Sequence, residues 1–412
     1  MNRTTHKLIV ALVFVGLAIV LAAPASTQNT RQTTVQTNAM QDYARREQTA
    51  PPAVRQKLAE IRQRIKEHNL GFEVGYTSAM ERSAQSMTGG ILPTNLLEIA
   101  RKQNVIAREV ITIDRQARDA AIKLDPSIRA RLPELTVSCN AGSKTFDWRS
   151  SGKVTPVKSQ GCGNCWAYGA MAPLESSYLI RNNLTVDGSE QFIVSNSGAG
   201  TCKGGGTKGA IDFLVSTGTT TEANLPDSGT NGTLDVNDFP KPYQALVAGF
   251  VSDTEQIPSI SEIKAAMCEH GPVVSWIGVT DSFVAYTGPS VYKDDDYATE
   301  AMKPCPASGP INGAVCGHFV TIIGWSDPKH AWLIKNSWGP NWGNACGTGT
   351  ERGYMWIDYG SNQIGAGVMW EEARNKMYRL PPRYYELIPR LRLIDPGPLR
   401  NPEVIKRPQG NP

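Results

Sequence analysis

Neither cysteine nor tryptophan occurs in residues 1–138 or 371–412 of this chain. All eight cysteines lie between Cys139 and Cys346, and all nine tryptophans between Trp148 and Trp370. The residues best suited to staple and fill a core are thus confined to the middle, which divides the chain into leader, core and tail. Eight cysteines in 412 residues are too few for a disulfide-dense miniprotein. A surplus of one charge is also lacking, since 42 Lys and Arg face 38 Asp and Glu. No nucleic-acid-binding motif accompanies these charges, so nucleic acid is not expected as a partner. Histidines number only five. No second Cys/His pair stands at finger-like spacing from Cys162 and Cys165, so neither a metal nor another cofactor is expected.

Long apolar runs are absent with one exception. Arg3, His6 and Lys7 precede "LIVALVFVGLAIVLAA" (Leu8 to Ala23), and "APA" at Ala23 to Ala25 offers the small residues of a cleavage site. Sixteen apolar residues fall short of the roughly 20 needed to span a bilayer. Residues 1–25 therefore read as a secretory signal. The mature protein is expected to be extracytoplasmic (secreted, periplasmic or lysosome-like) and without a membrane span, where disulfides persist.

After a polar start, residues 26–144 turn helical. In "PAVRQKLAEIRQRIKEHNL", Val54, Leu58, Ile61 and Ile65 recur at helical spacing. "GFEVGYT" alternates Phe72, Val74 and Tyr76, which predicts a short strand, and "MTGGILP" breaks the pattern. A second helix is predicted roughly from Thr94 to Leu124, with Leu97, Ile106, Val110, Ile113 and Ala117 inward.

The core opens near "FDWRSSGKVTPVKSQG", followed by "CGNCWAYGA". By itself Cys162-x-x-Cys165 suits a redox dithiol, half a zinc site, or one disulfide cysteine beside a reactive one. Further segments follow in order: "GSEQFIVSN", "CKGGG", "GPVVSWIGVTDSFVAYTGPSVY", "GHFVTIIGW" and "WLIKNSWGPNWG". Together they resemble the papain family of cysteine peptidases over about Phe146 to Trp370. The resemblance implies an α+β fold of two domains, a helical left one and a right one built on a curled, barrel-like antiparallel sheet, with a cleft between them.

Chemistry agrees with the resemblance. Cys165 opens a predicted helix, whose N-terminus favours an anion, and a thiolate is the nucleophile. His318 is the candidate to take the thiol proton, hold an ion pair and then protonate the leaving amine. Asn336 is placed to orient the far ring nitrogen, and Trp338 to shield that contact. Gln160 and the backbone N–H of Cys165 would serve the developing oxyanion. The resemblance further implies a Cys162–Cys202 disulfide and substrate contacts at Gly204, Gly205, Thr207, Trp276 and Gly317. Trp276 is expected to narrow the pocket for the second residue before the cleaved bond, unless a one-residue shift in the alignment puts Ser275 there instead.

Three departures stand out. "QGCGNC" is one residue shorter than is usual in the family, which puts Gln160 in question. Pro173 falls inside the predicted helix, where it cannot donate to the Gly169 carbonyl. Insertions around Tyr292 to His318 and after Trp342 carry Cys305, Cys316 and Cys346. With Cys139 and Cys268 these make five cysteines of open pairing, so at least one more thiol is free or intermolecular.

The implied activity is that of a cysteine endopeptidase acting on protein or peptide substrates through an acyl-enzyme. By resemblance, residues 26–144 form an inhibitory propeptide, 145–370 the peptidase domain, and a cut near 139–145 releases activity. A catalytically weakened, peptide-binding homologue is the alternative. The tail from Glu371 carries nine Lys/Arg, five Asp/Glu and eight prolines. That content predicts extended stretches, with "YYELIPRLRLI" partly docked and the charge offering contact with an anionic surface.

Overall fold

A computed structural model describes residues 40–132, 138–294, 305–306, 308–311, 314–394 and 399–400. The signal-like residues 1–25 lie outside them. After a helical stretch at 40–48, α1 runs Pro52–Glu67 with proline in its first turn, where no N–H is required. Helix α2 (Leu96–Leu124) buries Leu96, Ile99, Ile106, Val110 and Ile113 along one face. Strand β1 (Thr145–Asp147) leads to α3 (Cys165–Asn182), α4 (Glu190–Asn196) and α5 (Thr207–Ser216). Then come β2 (Ala245–Phe250), α6 (Ile260–His270), β3 (Val273–Val279) and β4 (Cys316–Ser326). Strands β5 (Ala331–Lys335), β6 (Tyr354–Asp358) and β7 (Ala366–Ala373) complete the sheet, and α7 (Pro382–Arg392) follows.

The sheet is antiparallel, in the order β2-β7-β3-β4-β5-β6, with β1 added to β4. Among the described residues its outer strands β2 and β6 do not pair with each other, so the expected barrel-like closure is absent and the sheet is open. Every residue of β3, β4 and β7 is buried. Both faces of these strands are therefore covered, α3 packing against all three, so they lack an apolar–polar alternation. Pro173 lies inside an uninterrupted α3.

The leading segment shares the core rather than standing apart. Strand β2 is an edge strand, and α2 covers that edge with side-chain amides. Asn104 Nδ2 donates to Phe250 O at 3.1 Å, and the Phe250 N–H donates back to Asn104 Oδ1 at 2.8 Å. Gln103 Nε2 donates to Ala248 O at 3.1 Å. The expected strand at 72–76 shrinks to a single bridge, Val74 to Tyr286.

At the other end, β7 continues through the expected 370/371 boundary to Ala373. The tail then forms a helix where extended chain was expected. Pro381 and Pro382 fall at the N-cap and first turn, where proline is tolerated. Tyr384, Leu387, Ile388 and Leu391 recur at helical spacing and are buried. Cys162 bonds Cys202 as the resemblance implied, Cys139 bonds Cys268, and Cys305 bonds Cys316. Cys165 and Cys346 are free. Among the described residues no helix is long and apolar enough to cross a membrane.

Candidate active site

Cys165 is the first residue of α3, after the N-cap Asn164, so it stands at the positive end of the helix dipole. Helix α3 lies on β4, which carries His318. Gly169 permits the approach, because a Cβ there would meet Phe319 Cβ at 2.9 Å. The Phe319 backbone is in turn within hydrogen-bonding reach of the Cys165 sulfur.

Asn336 directly follows β5, the strand paired with β4. His318 Nε2 and Asn336 Oδ1 are 2.8 Å apart. The Ser337 N–H donates to the same Asn336 atom at 2.8 Å, which identifies that atom as oxygen. Nε2 therefore carries the ring proton, and Nδ1, which makes no hydrogen bond, is the basic nitrogen. The Trp338 ring lies 4.9 Å from the imidazole and is itself backed by Trp342 and Phe283.

The shortened loop keeps Gln160 beside this pair. Its N–H donates to Ser337 O at 2.8 Å, and Ser337 Oγ donates to its Oε1 at 2.7 Å. Nε2 then donates to Cys162 O at 2.7 Å and to Ser86 O of the leading segment at 3.3 Å. Asp227, which no local pattern marks, ties the loop down. It accepts from the Gly161 N–H at 2.8 Å, Tyr168 Oη at 2.7 Å and Asn164 Nδ2 at 3.3 Å.

Cys165 and His318 are both wholly buried. Burial pushes the thiol up to about 12. It also holds the imidazole down to about 4, against the Asn336 hydrogen bond, with Arg82 adding to the depression. Burial thus disfavours the charged form of each group, and so the ion pair, in this covered state. Without water or a compensating charge, burial favours the uncharged forms.

What covers them is the leading segment. A helical turn at Ala84–Met87 delivers Gly89 and Gly90 into the groove. The Gly205 N–H donates to Gly89 O at 2.9 Å, and Gly205 O accepts from the Ile91 N–H at 3.0 Å. On the opposite wall, Gly317 O accepts from the Gly89 and Gly90 N–H groups at 2.8 Å each. A Cβ on Gly90 would stand 2.8–2.9 Å from the His318 backbone, closer than a Cβ can sit. Gly204 backs Gly89 just as closely. "MTGGILP" is thus a groove insertion rather than a turn, and its glycine pair was the available signal for close backbone approach.

Trp338 Nε1 donates to Met87 O and Trp276 Nε1 to Gly90 O, both at 2.9 Å. Beyond Gly90, a cavity of about 80 Å³ is bordered by Leu92, Thr207, Phe250, Phe319, Gly367 and Met369. Trp276 is not part of that lining; it meets backbone at Gly90 instead.

A family model described as papain family cysteine protease matches residues 142–371. Fruit bromelain of Ananas comosus is 31% identical over 212 residues, covering 50% of this chain and 54% of that protein. Macrodontain-1 of Ananas macrodontes is 34% identical over 203 residues, covering 48% of this chain and 84% of that protein. The match to fruit bromelain thus spans about half of either protein. Among solved structures, the Amb a 11 cysteine protease, a ragweed pollen allergen, in its proform gives a TM-score of 0.53 at 21% identity. That likeness covers 84% of this chain and 98% of the other. It is a likeness of fold, and it extends over the leading segment.

Proposed function

The chain belongs to the papain family of cysteine proteases, and on that premise we propose that it is an endopeptidase made as a secreted zymogen. One observation carries the reading. Cys165 opens a helix packed on β4, the strand that carries His318 of the His318–Asn336 pair, beside a groove whose glycine walls already hydrogen-bond an extended peptide, residues 89–91. With that segment gone, the same Gly205 and Gly317 groups are open to a substrate. His318 Nδ1 takes the Cys165 proton while the sulfur attacks the scissile carbonyl carbon. The Cys165 N–H and Gln160 Nε2 stabilise the oxyanion. Collapse of the tetrahedral intermediate breaks the C–N bond, and the imidazolium gives its proton to the departing amine. Water, deprotonated by Nδ1, then attacks the thioester, releasing acid and thiol.

The leading segment is the intramolecular inhibitor, supported by its position over both groups. Its releasing cut is placed before Cys139, ahead of the expected 139–145 window. The bond to Cys268 would keep the segment attached after any cut at 140–144. Secretion is supported by the signal-like N-terminus and by three disulfides.

A second reading, a weakened peptide-binding homologue, is favoured by the Gln160 Nε2 bond to Cys162 O at 2.7 Å, which occupies the oxyanion donor. An epoxide-bearing peptide separates them. The endopeptidase, freed of its leading segment, labels at Cys165 and at no other cysteine. Absence of labelling in the folded, processed protein selects the binding protein.

A further inference from the structure

We propose that the C-terminal extension is a strap that fastens the leading segment to the core, so that latency depends on the tail as well as on the stretch in the groove. This rests on the reading of the leading segment as inhibitor. The tail touches both bodies. On the core side, Tyr384 Oη donates to Leu246 O at 3.1 Å and Arg374 Nη1 to Gln244 Oε1 at 2.9 Å. Lys208, paired with Asp212 on α5, donates to Ile394 O at 3.0 Å and Leu391 O at 3.4 Å. A buried cation thus meets the carbonyls at the C-terminal end of α7, where the helix dipole is negative.

On the other side, α7 packs on α2, and Arg383 Nε donates to Glu109 Oε1 at 2.9 Å. Asp114 of α2 is the hinge of the arrangement and is buried. One of its oxygens takes Arg181 Nη2 of the core at 3.0 Å, and the other takes Tyr378 Oη of the tail at 2.8 Å. The tail thereby completes the partners of a carboxylate that the leading segment buries, and an unpartnered one would be costly. Further on, Leu399 and Arg400 pair backbone to backbone with Pro93 and Leu92, directly beyond the Ile91 bond to Gly205. The strap therefore reaches from the middle of α2 to the mouth of the groove. Arg374 and Arg383 are engaged within the molecule, which leaves fewer tail cations for an outside anionic surface.

The test uses the full, unprocessed chain in three variants: truncation after Asn375, Tyr378→Phe, and Arg383→Ala. Labelling of Cys165 by the epoxide peptide is expected to quicken at least tenfold on truncation and severalfold in each point variant. The rate after processing should not change. Amide exchange across residues 96–124 should quicken in the same order, a readout that needs no catalysis. If truncation unfolds the protein, the two point variants decide. Labelling and exchange at the full-length rates in folded variants overturn the strap. Failure of the functional reading looks different: processed protein that never labels, while exchange still responds to the tail.

Discussion

The leading segment is held in two unlike ways. In the groove, residues 89–91 are fixed by backbone hydrogen bonds to Gly205 and Gly317, and the wall spacing admits little but glycine at Gly90. Along α2 the attachment is made by side chains: Asn104 on the edge of β2, and Asp114 on Arg181. The first mode requires close approach and is indifferent to charge. The second places ionised groups in a buried network that also includes Glu372 and His270, the latter stacked 3.7 Å from Trp370. The two attachments should therefore respond to different perturbations.

Arg181→Met should have the largest effect. It leaves Asp114 and Glu372 buried without their cation, and breaking such a pair costs about 3–5 kcal/mol. Urea unfolding of the full chain measures the loss, and a loss below about 1 kcal/mol would show that the α2 attachment does not depend on charge.

Acid should act on the same network. Burial raises the Glu372 carboxyl, but Arg181 and His270 more than offset this and hold it at about 2, below the ordinary 4.5. A depressed carboxyl stabilises the fold above its unfolded value, so this contribution fades as pH falls from about 4.5 towards 2. Melting temperatures across that window should drop, less so in Glu372→Gln; identical slopes in the two proteins would remove Glu372 from the account.

Gly90→Val attacks the other mode. Overpacking against the His318 backbone costs roughly 1–3 kcal/mol, which should speed Cys165 labelling in the unprocessed chain about 5- to 150-fold. The melting temperature should move less than in Arg181→Met; a chain that stays as latent as wild type would mean that the groove stretch is not the barrier.

Removing the leading segment should relieve the burial that pushes the Cys165 thiol up and the His318 imidazole down. Alkylation should then be at least tenfold faster near neutral pH than in the covered chain, because more of Cys165 is thiolate. Equal rates in both forms would show that the cover does not set the thiol's state.

The smallest change is expected from Trp276→Ala, which removes the indole beside Gly90. Acceptance of bulky residues by the processed enzyme should widen about tenfold, read from a substrate library. An unaltered library profile would make Trp276 a core residue only.

Much of the helical framework was legible. The helix expected at about 94–124 is Leu96–Leu124, and Leu58, Ile61, Ile106, Val110 and Ile113 point inward as their spacing indicated. The inward face was misplaced at the start of α2, where Leu96 and Ile99 are buried and Leu97 is only half-buried. The tail helix was missed because its prolines were weighed as breakers, although Pro381 and Pro382 stand at the N-cap and first turn, where proline is acceptable. The helix also tolerates Pro389 in its interior while burying Tyr384, Leu387, Ile388 and Leu391. Ordered motifs singled out Gln160, His318, Asn336 and Trp338, which the structure places near one another, but not Asp227 and Ser337, whose hydrogen-bond partners are distant in the chain.

The sequence by itself determined the local matters. It supplied a cysteine at a helix start, a histidine in an apolar strand, an asparagine just past the next strand, and cysteines confined to residues 139–346. These depend on residue type and near-neighbour spacing, which periodicity and motif order express. Only the tertiary structure decided that Cys139 bonds Cys268 across 129 residues, that "TGG" lies across the groove, and that a proline-rich tail reaches back to Asp114. Such pairings depend on which surfaces remain to be buried once the sheet and helices have formed. No single stretch of sequence carries that information, because each partner is ordinary until the other arrives.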